Sequence, residues 1–399
     1  MQFPNCIFGE ISQKIKGIKT IDELVKYSKE ESKKVLAEVL EKCLQEEILQ
    51  AIGTEERYKH KKERSGYLNS GYKRRLDTSI GTIEFKKPRV VFKEKGRRFQ
   101  SKIISRYQRR DSRLVEVTLI GYFLGLSCRK TMAMLQKEYG TILSPSGVSR
   151  VLKVLDERKR EFHSREILKY YRFIWMDGMY VKVRSLGKYW LLLALGETME
   201  GEIELIDYRL SERENEASYE DFLENLRLRG LKRPVLFITD GHKGLQLAIR
   251  TVFPFAKIQV CVVHKKRDVL SKTSLSNRDK VSKDLSIIYA SESKEEAIEK
   301  LKEFKSKWKK KEPLAVRSLQ YGFYLTLTYF DFENSIWNRI KTNNPIERYI
   351  EEIRRRTIPM RIFQNIDSLD RLIYGIIEIL KINMGNGIYE RANLYFQQN

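Results

Sequence analysis

The stretches FIWMDGMYVKV (173–183), YWLLLALGET (189–198) and EIELIDYRL (202–210) follow one another with only short polar breaks, and their reading decides the fold. Each is a run of apolar and β-branched or aromatic residues of strand length, so together they predict an antiparallel meander. A helix follows in SYEDFLENLRLRG (218–230), then a buried-type strand in PVLFITDG (234–241), a second helix in HKGLQLAIRTVF (242–253) and a further strand in KIQVCVVH (257–264). Residues 265 to about 335 read as helical and Lys-rich, with Trp308 and the aromatic run YGFYLTLTYFDF, and the last helices begin near Asn343.

Three meander strands followed by strand, helix, strand make a mixed sheet of the ribonuclease-H-like kind, and the chain as a whole reads as multidomain α+β. Two aspartates occupy special places in it. Asp177 follows the hydrophobic start of one strand and Asp240 ends another, and each precedes a Gly that lets the backbone turn close to a ligand. A single Asp there is ordinarily a turn or a cap. A pair on neighbouring strands is costly to bury unless a cation neutralises it, which raises the metal reading. Glu347, in TNNPIERYIEEIRRRT (342–357), is the third carboxylate: Asn343 or Asn344 can cap a helix and Pro345 suits its first turn. Arg354, Arg355 and Arg356 follow within about two to three helical turns, an adjacency that suits a phosphodiester.

The rest of the chain agrees with a polyanion partner. It has 399 residues, 77 Lys or Arg against 53 Asp or Glu, and a formal net charge of +24. With 41% hydrophobic residues it is no disordered basic tail, and no stretch of eighteen apolar residues suggests a membrane span or a secretory leader. Four scattered cysteines make no disulfide framework. The excess charge is concentrated: residues 57–113 hold 20 basic and 5 acidic residues, while 1–56 hold 8 basic and 11 acidic. Aromatics interleave the cations of the basic segment, which suits a folded module gripping phosphates, with Arg74, Arg75, Lys86, Lys87, Arg89, Arg97 and Arg98 as its contacts. A solvated linker is the plainer alternative. Within it TIEFKKPRVVF reads as a strand broken at Pro88. Leu36, Leu40, Leu44 and Ile48 mark an amphipathic helix over 21–52 that stops at Gly53 and packs on its own chain or a second copy. SPSGVSRVLK (144–153) has the Ser cap and apolar period of a recognition helix, or of a plain three-helix packing unit.

These motifs together resemble the Mutator-type transposases of bacterial insertion sequences. The shared features are DGMYVKV at Asp177, TDGHKGL at Asp240, QVCVVHKKRD with its Cys261-x-x-His264, and TNNPIERYIEEIRRRT at Glu347, in the family's order and with similar separations of 63 and 107 residues between the carboxylates. Upstream, 64–89 and 124–152 look like the family's amino-terminal half, so the resemblance covers about residues 40 to 380. It implies a ribonuclease-H-like core with an Asp-Asp-Glu triad at Asp177, Asp240 and Glu347, interrupted by an all-helical insertion. The Cys-x-x-His is a family signature near the active site, so His264 is expected to meet a substrate phosphate or orient a carboxylate; the alternative is a strand-end core Cys beside a hydrogen-bonded His. A zinc site finds no second pair, because His60, His163 and His242 are scattered.

The expected organisation is a helical segment 1–56, the basic module 57–113, a helical or helix-turn-helix segment 114–165, the first part of the core 166–264, the insertion 265–338 and the final core helices 339–399. Two Mg²⁺ or Mn²⁺ per active site suit the oxygen-only carboxylates, Asp177 bridging and Asp240 and Glu347 completing one ion each. The partners are double-stranded DNA, as terminal inverted repeats and as target, and at least one further copy of the chain, because two ends are cut. Lys243 beside the turn either meets a phosphate or is a lone surface lysine. Trp337 either packs or stacks on an unpaired base. No GxxxxGK[ST] motif occurs, so no nucleotide cofactor is expected. The setting is the cytoplasm of a prokaryote, at the nucleoid. The rival function is a DNA-binding regulator or domesticated scaffold without chemistry, against which stand three acids held where they would repel phosphates.

Overall fold

The computed structural model describes residues 17–53, 65–140, 143–184 and 186–384, which fall into two compact units. The first comprises α1 (Ile21–Ile52), the hairpin β1 (Gly66–Thr78) and β2 (Gly81–Phe92), and the helices α2 (Ser112–Phe123), α3 (Cys128–Tyr139) and α4 (Pro145–Leu152). Thr20 caps α1, its hydroxyl accepting from Glu23 N at 3.2 Å, and Gly53 ends it in the left-handed region. Only the second half of the apolar stripe is covered: Leu44 is buried with Leu76, Ile83, Phe85 and Ile104, whereas Leu36 is 38% exposed. The strand over 82–92 is not broken at Pro88. It runs on because β1 bulges: Asn69 pairs with Arg89 and Tyr72 with Lys87, so Ser70 and Gly71 together face the one residue that lacks an amide hydrogen.

The second unit opens with α5 (Leu155–Ser164) and is built on β3 (Tyr171–Val183), β4 (Gly187–Thr198), β5 (Ile203–Ser211), β6 (Leu236–Thr239) and β7 (Lys257–Val260). Spatial order is β5-β4-β3-β6-β7, antiparallel from β3 through β5 and parallel from β3 through β7. The expected mixed sheet is therefore present, in an α+β chain rich in helices. Alternation along β3 sends Ile174 and Met176 to one face, where they meet Phe222 and Leu226 of α6 (Glu216–Leu228) and Leu245 and Ile249 of α7 (Lys243–Val252). Phe173, Trp175 and Asp177 take the other face. After β7 come α8 (Val262–Ser271), α9 (Arg278–Tyr289), α10 (Lys294–Trp308), α11 (Pro313–Gln320) and a 3₁₀ segment, Phe323–Asp331, which lies along β7 through Thr328 Oγ1 to Ile258 O at 2.8 Å. Trp308 is buried in this region, its indole donating to Asp284 at 2.7 Å. The chain then makes α12 (Asn334–Ile340), α13 (Asn344–Thr357) and α14 (Ile366–Met384). Among the described residues no helix is long and apolar enough to cross a membrane.

Candidate active site

The three carboxylates come from three elements of the second unit. Asp177 lies in the middle of β3, after its apolar first half and before a second, half-exposed stretch that runs to Val183. Its neighbour is set by register: Met176 pairs with Thr239, the last residue of the parallel strand β6, so Asp240 emerges beside Asp177. Adjacent strands lie about 4.8 Å apart, which puts the two acids in electrostatic reach. Asp240 then folds into a turn, its Oδ1 accepting from His242 N at 2.9 Å, with Gly241 at φ 102°, where a side chain would be strained.

The third acid arrives by way of a stitched loop. Trp175, on the same face as Asp177, donates its indole hydrogen to Thr342 O at 3.1 Å, and Val262 N donates to Lys341 O at 3.0 Å. Asn343 N donates to Cys261 Sγ at 3.3 Å, and Cys261 N to Thr239 O at 2.8 Å. These bonds fix the start of α13, whose first turn carries Glu347. Asn343 is fully buried and its side chain caps nothing; its Nδ2 turns to Asp177 Oδ2 at 3.5 Å. The side chain expected to serve the helix instead faces the acid.

Electrostatics single out Asp177. Loss of solvent, then the nearby Asp240, push its pKa up to about 7; a hydrogen bond from Gly178 N at 2.7 Å opposes this, and Glu214 and Glu347 add to it. Glu214 is a fourth carboxylate. A Cβ on Gly178 would collide with Glu214 Oε1 and stand 2.9 Å from the Tyr219 hydroxyl, which donates to Glu214 at 2.8 Å. Burial and then Asp240 raise the Glu214 carboxyl, with the Tyr219 bond and His242 opposing. Nothing in the string SERENEAS marked it, since it sits in the loop before α6 and only the fold brings it to β3.

Cys261 and His264 do not end a strand, because β7 stops at Val260 and the Cys-x-x-His spans the first turn of α8. His264 Nδ1 lies 3.5 Å from Glu347 Oε1, and ligand atoms of Cys261, His264 and Glu347 all fall within 4.8 Å of one another. The sequence spacing did not show this third member. Burial pushes the Cys261 thiol up, away from the thiolate that a soft metal takes. Glu347 Oε1, His264 Nδ1 and Asn343 Oδ1 are buried atoms without a hydrogen-bond partner. Acids converging on Asp177, with a buried Glu347 oxygen left over, are the environment a hard divalent cation would complete, so the residues present fit such an ion.

The other sequence candidates are elsewhere or otherwise engaged. Arg75 pairs with Glu84 at 2.6 Å, Arg89 lies over the Tyr72 ring and Arg97 over Phe92, all in the first unit. There Arg74 donates to the carbonyls of Ser105 and Gln108, and burial, then Arg74, lower the Lys87 ammonium. In α13, Arg355 is paired with Glu351 and Glu352 and Arg356 with Glu352, whereas Arg354 lines a surface groove with Met179, Tyr180 and Lys182. Trp337 is half-buried against Tyr329 and Phe330, and its indole donates to Phe332 O at 2.8 Å. Lys243 opens α7 with its ammonium 4.9 Å from the centre of the Tyr321 ring.

Comparison with known proteins agrees over nearly the whole length. The family model for transposases of the Mutator family matches residues 10–384. The chain is 29% identical over 391 residues to the transposase for insertion sequence element IS905 of Lactococcus lactis subsp. lactis (strain IL1403), covering 98% of this chain and 96% of that one. It is 32% identical over 370 residues to the transposase for insertion sequence element IS256 in transposon Tn4001 of Staphylococcus aureus, covering 90% and 92%. It is also 31% identical over 347 residues to the transposase for insertion sequence element ISRM5 of Rhizobium meliloti (strain 1021), covering 86% of each.

Proposed function

We propose, from the premise that the chain belongs to the Mutator family of transposases, that it binds the terminal inverted repeats of its element and cuts and joins DNA strands with Asp177, Asp240 and Glu347. The sheet order β5-β4-β3-β6-β7, with one carboxylate on the middle strand β3 and another just past the end of its parallel neighbour β6, supports a ribonuclease-H-like core. The observation that carries the reading is the register of β3 on β6, which sets Asp177 beside Asp240 on the face that the start of α13 covers.

Asp177, Asp240 and Glu347 would hold two Mg²⁺ or Mn²⁺ ions, which when bound acidify an attacking oxygen and stabilise a leaving oxyanion. The chain's own work is positional. The parallel register holds the two aspartates side by side where β6 ends against β3, and the hydrogen bonds through Thr342, Asn343 and Cys261 hold the start of the helix that carries Glu347. Asn343 Nδ2 orients Asp177, and His264 stands beside Glu347. Water is the first nucleophile, freeing a 3′-hydroxyl at the element's end, and that hydroxyl then attacks a second strand with expulsion of its 3′ oxygen. Duplex recognition falls to the hairpin of the first unit and its cations, and cutting two ends calls for at least two copies of the chain.

The test is substitution. Asp177→Asn, Asp240→Asn and Glu347→Gln should each abolish Mg²⁺-dependent cleavage of element-end DNA while retaining mobility-shift binding to it. Substantial cleavage by any one of them removes that residue from the triad.

A further inference from the structure

A cavity of about 860 Å³ opens from Asp240 and His264 and runs between α7, α8 and the turn at Tyr321 and Gly322. Two helices present one face each to it: Lys243, Gln246 and Arg250 recur at helical spacing along α7, and His264, Arg267 and Ser271 do so along α8. Its charge is lopsided. Lys243, Arg250, Lys265 and Arg267 line it against Asp240 and Asp268, and Asp268 already accepts from the Ser318 hydroxyl at 3.0 Å. Among the described residues Lys243, Arg250 and Arg267 make no ion pair.

Lys265 is the more telling group. It is buried, its Nζ donates to Tyr321 O at 2.5 Å, and burial lowers its ammonium, which Asp268 offsets only in part. A buried cation whose hydrogen-bond acceptor is a neutral carbonyl is expensive to keep unless an anion shares the space. The Tyr321 ring, 61% exposed, holds both ammonium groups in the cavity, Lys243 at 4.9 Å and Lys265 at 5.8 Å from its centre. The cations thus line one wall leading away from a proposed catalytic aspartate, Lys243 and Lys265 gathered on the Tyr321 ring and Arg250 and Arg267 exposed beside them.

We propose that this cavity is the seat for the phosphate backbone of the single strand that continues from the reacting phosphodiester, with Lys243, Arg250 and Arg267 each meeting a phosphate and Lys265 supplying charge from beneath. The inference rests on the transposase reading but is tested apart from it, by binding without chemistry. Arg250→Gln/Arg267→Gln changes two exposed side chains, so folding is retained. The probes are a short random-sequence duplex with blunt ends and the same duplex carrying a single-stranded 3′ thymidine tail, titrated in EDTA by fluorescence anisotropy over a range of KCl. Losing two strand contacts should lower the slope of log K against log salt by about 1.4 on the tailed probe, at about 0.7 per single-strand phosphate. Affinity for the tailed probe should fall about tenfold, with little change on the blunt one. Lys309→Gln/Lys310→Gln, which removes the same charge away from the cavity, should leave both probes unchanged. Equal losses on the two probes, equal losses in the control pair, or an unchanged slope would overturn the proposal. None of these outcomes touches the triad, which cleavage by the Asp and Glu variants judges separately.

Discussion

Asp177→Asn should make the metal-free protein more stable at pH 8, not less. In the folded chain the Asp177 carboxyl is raised from 3.8 to about 7, chiefly by burial and then by Asp240. Between these values the unfolded chain has released a proton that the folded chain still holds, so stability is full below about pH 4 and falls as pH rises to about 7. Three pH units at 1.36 kcal/mol each set an upper bound of about 4 kcal/mol lost at pH 8. An amide of nearly the same shape carries no charge and avoids that loss. A unit of this size shifts by roughly 2–4 °C per kcal/mol, so half of the bound would raise its melting temperature by about 4–8 °C. The assay is a thermal melt of wild type and variant in EDTA at pH 5 and pH 8, then with Mg²⁺ or Mn²⁺ added. The gap between the two proteins should open from pH 5 to pH 8, and added metal should stabilise the wild type far more than the variant. A variant no more stable than wild type at pH 8, or a wild type indifferent to both metals, would refute the crowding of acids on which the site rests.

Other substitutions probe single contacts. Gly178→Ala drives a methyl into Glu214 Oε1 and the Tyr219 hydroxyl and should destabilise the second unit by about 1–3 kcal/mol, read by denaturant unfolding; Glu214→Ala in the same chain should recover part of it. Asn343→Ala removes a fully buried donor to Asp177 and should lower the cleavage rate about tenfold or more without weakening binding to element ends, whereas Asn343→Asp adds a further acid beside the cation's seat and should lower the metal concentration needed for half-maximal cleavage without restoring the rate. Trp337→Ala should fold; retained cleavage of pre-unpaired ends with loss on duplex would assign its ring to base stacking, while a lowered melting temperature and equal cleavage of both substrates would assign it to the packing around Tyr329 and Phe330.

Much of the sheet was legible because its strands are long apolar runs with short breaks, a pattern that local sequence carries by itself. Exposure along a strand was less so: Tyr180 and Lys182 are exposed alternates in the second half of the strand that ends at Val183. Pro88 read as a break because the bulge that accommodates it lies on the partner strand, at Ser70 and Gly71. The three carboxylates were visible through their flanking Gly, Pro and Asn residues, all local signals. Glu214, Lys265 and the turn of Asn343 away from its helix were not, since each acquires its role from an element distant in sequence. Charge counting drew attention to the cations of 57–113 but passed over Arg250 and Arg267, which stand out only where two helices present them to one cavity.

The most direct measurement is to incubate the protein and Mg²⁺ with DNA spanning the flanks of its own gene and map every new strand end. Nicks that leave 3′-hydroxyls at the boundaries of the inverted repeats, lost in EDTA and in Asp177→Asn, are expected. Cuts scattered without regard to those boundaries, or boundary nicks that persist in Asp177→Asn, would contradict the account.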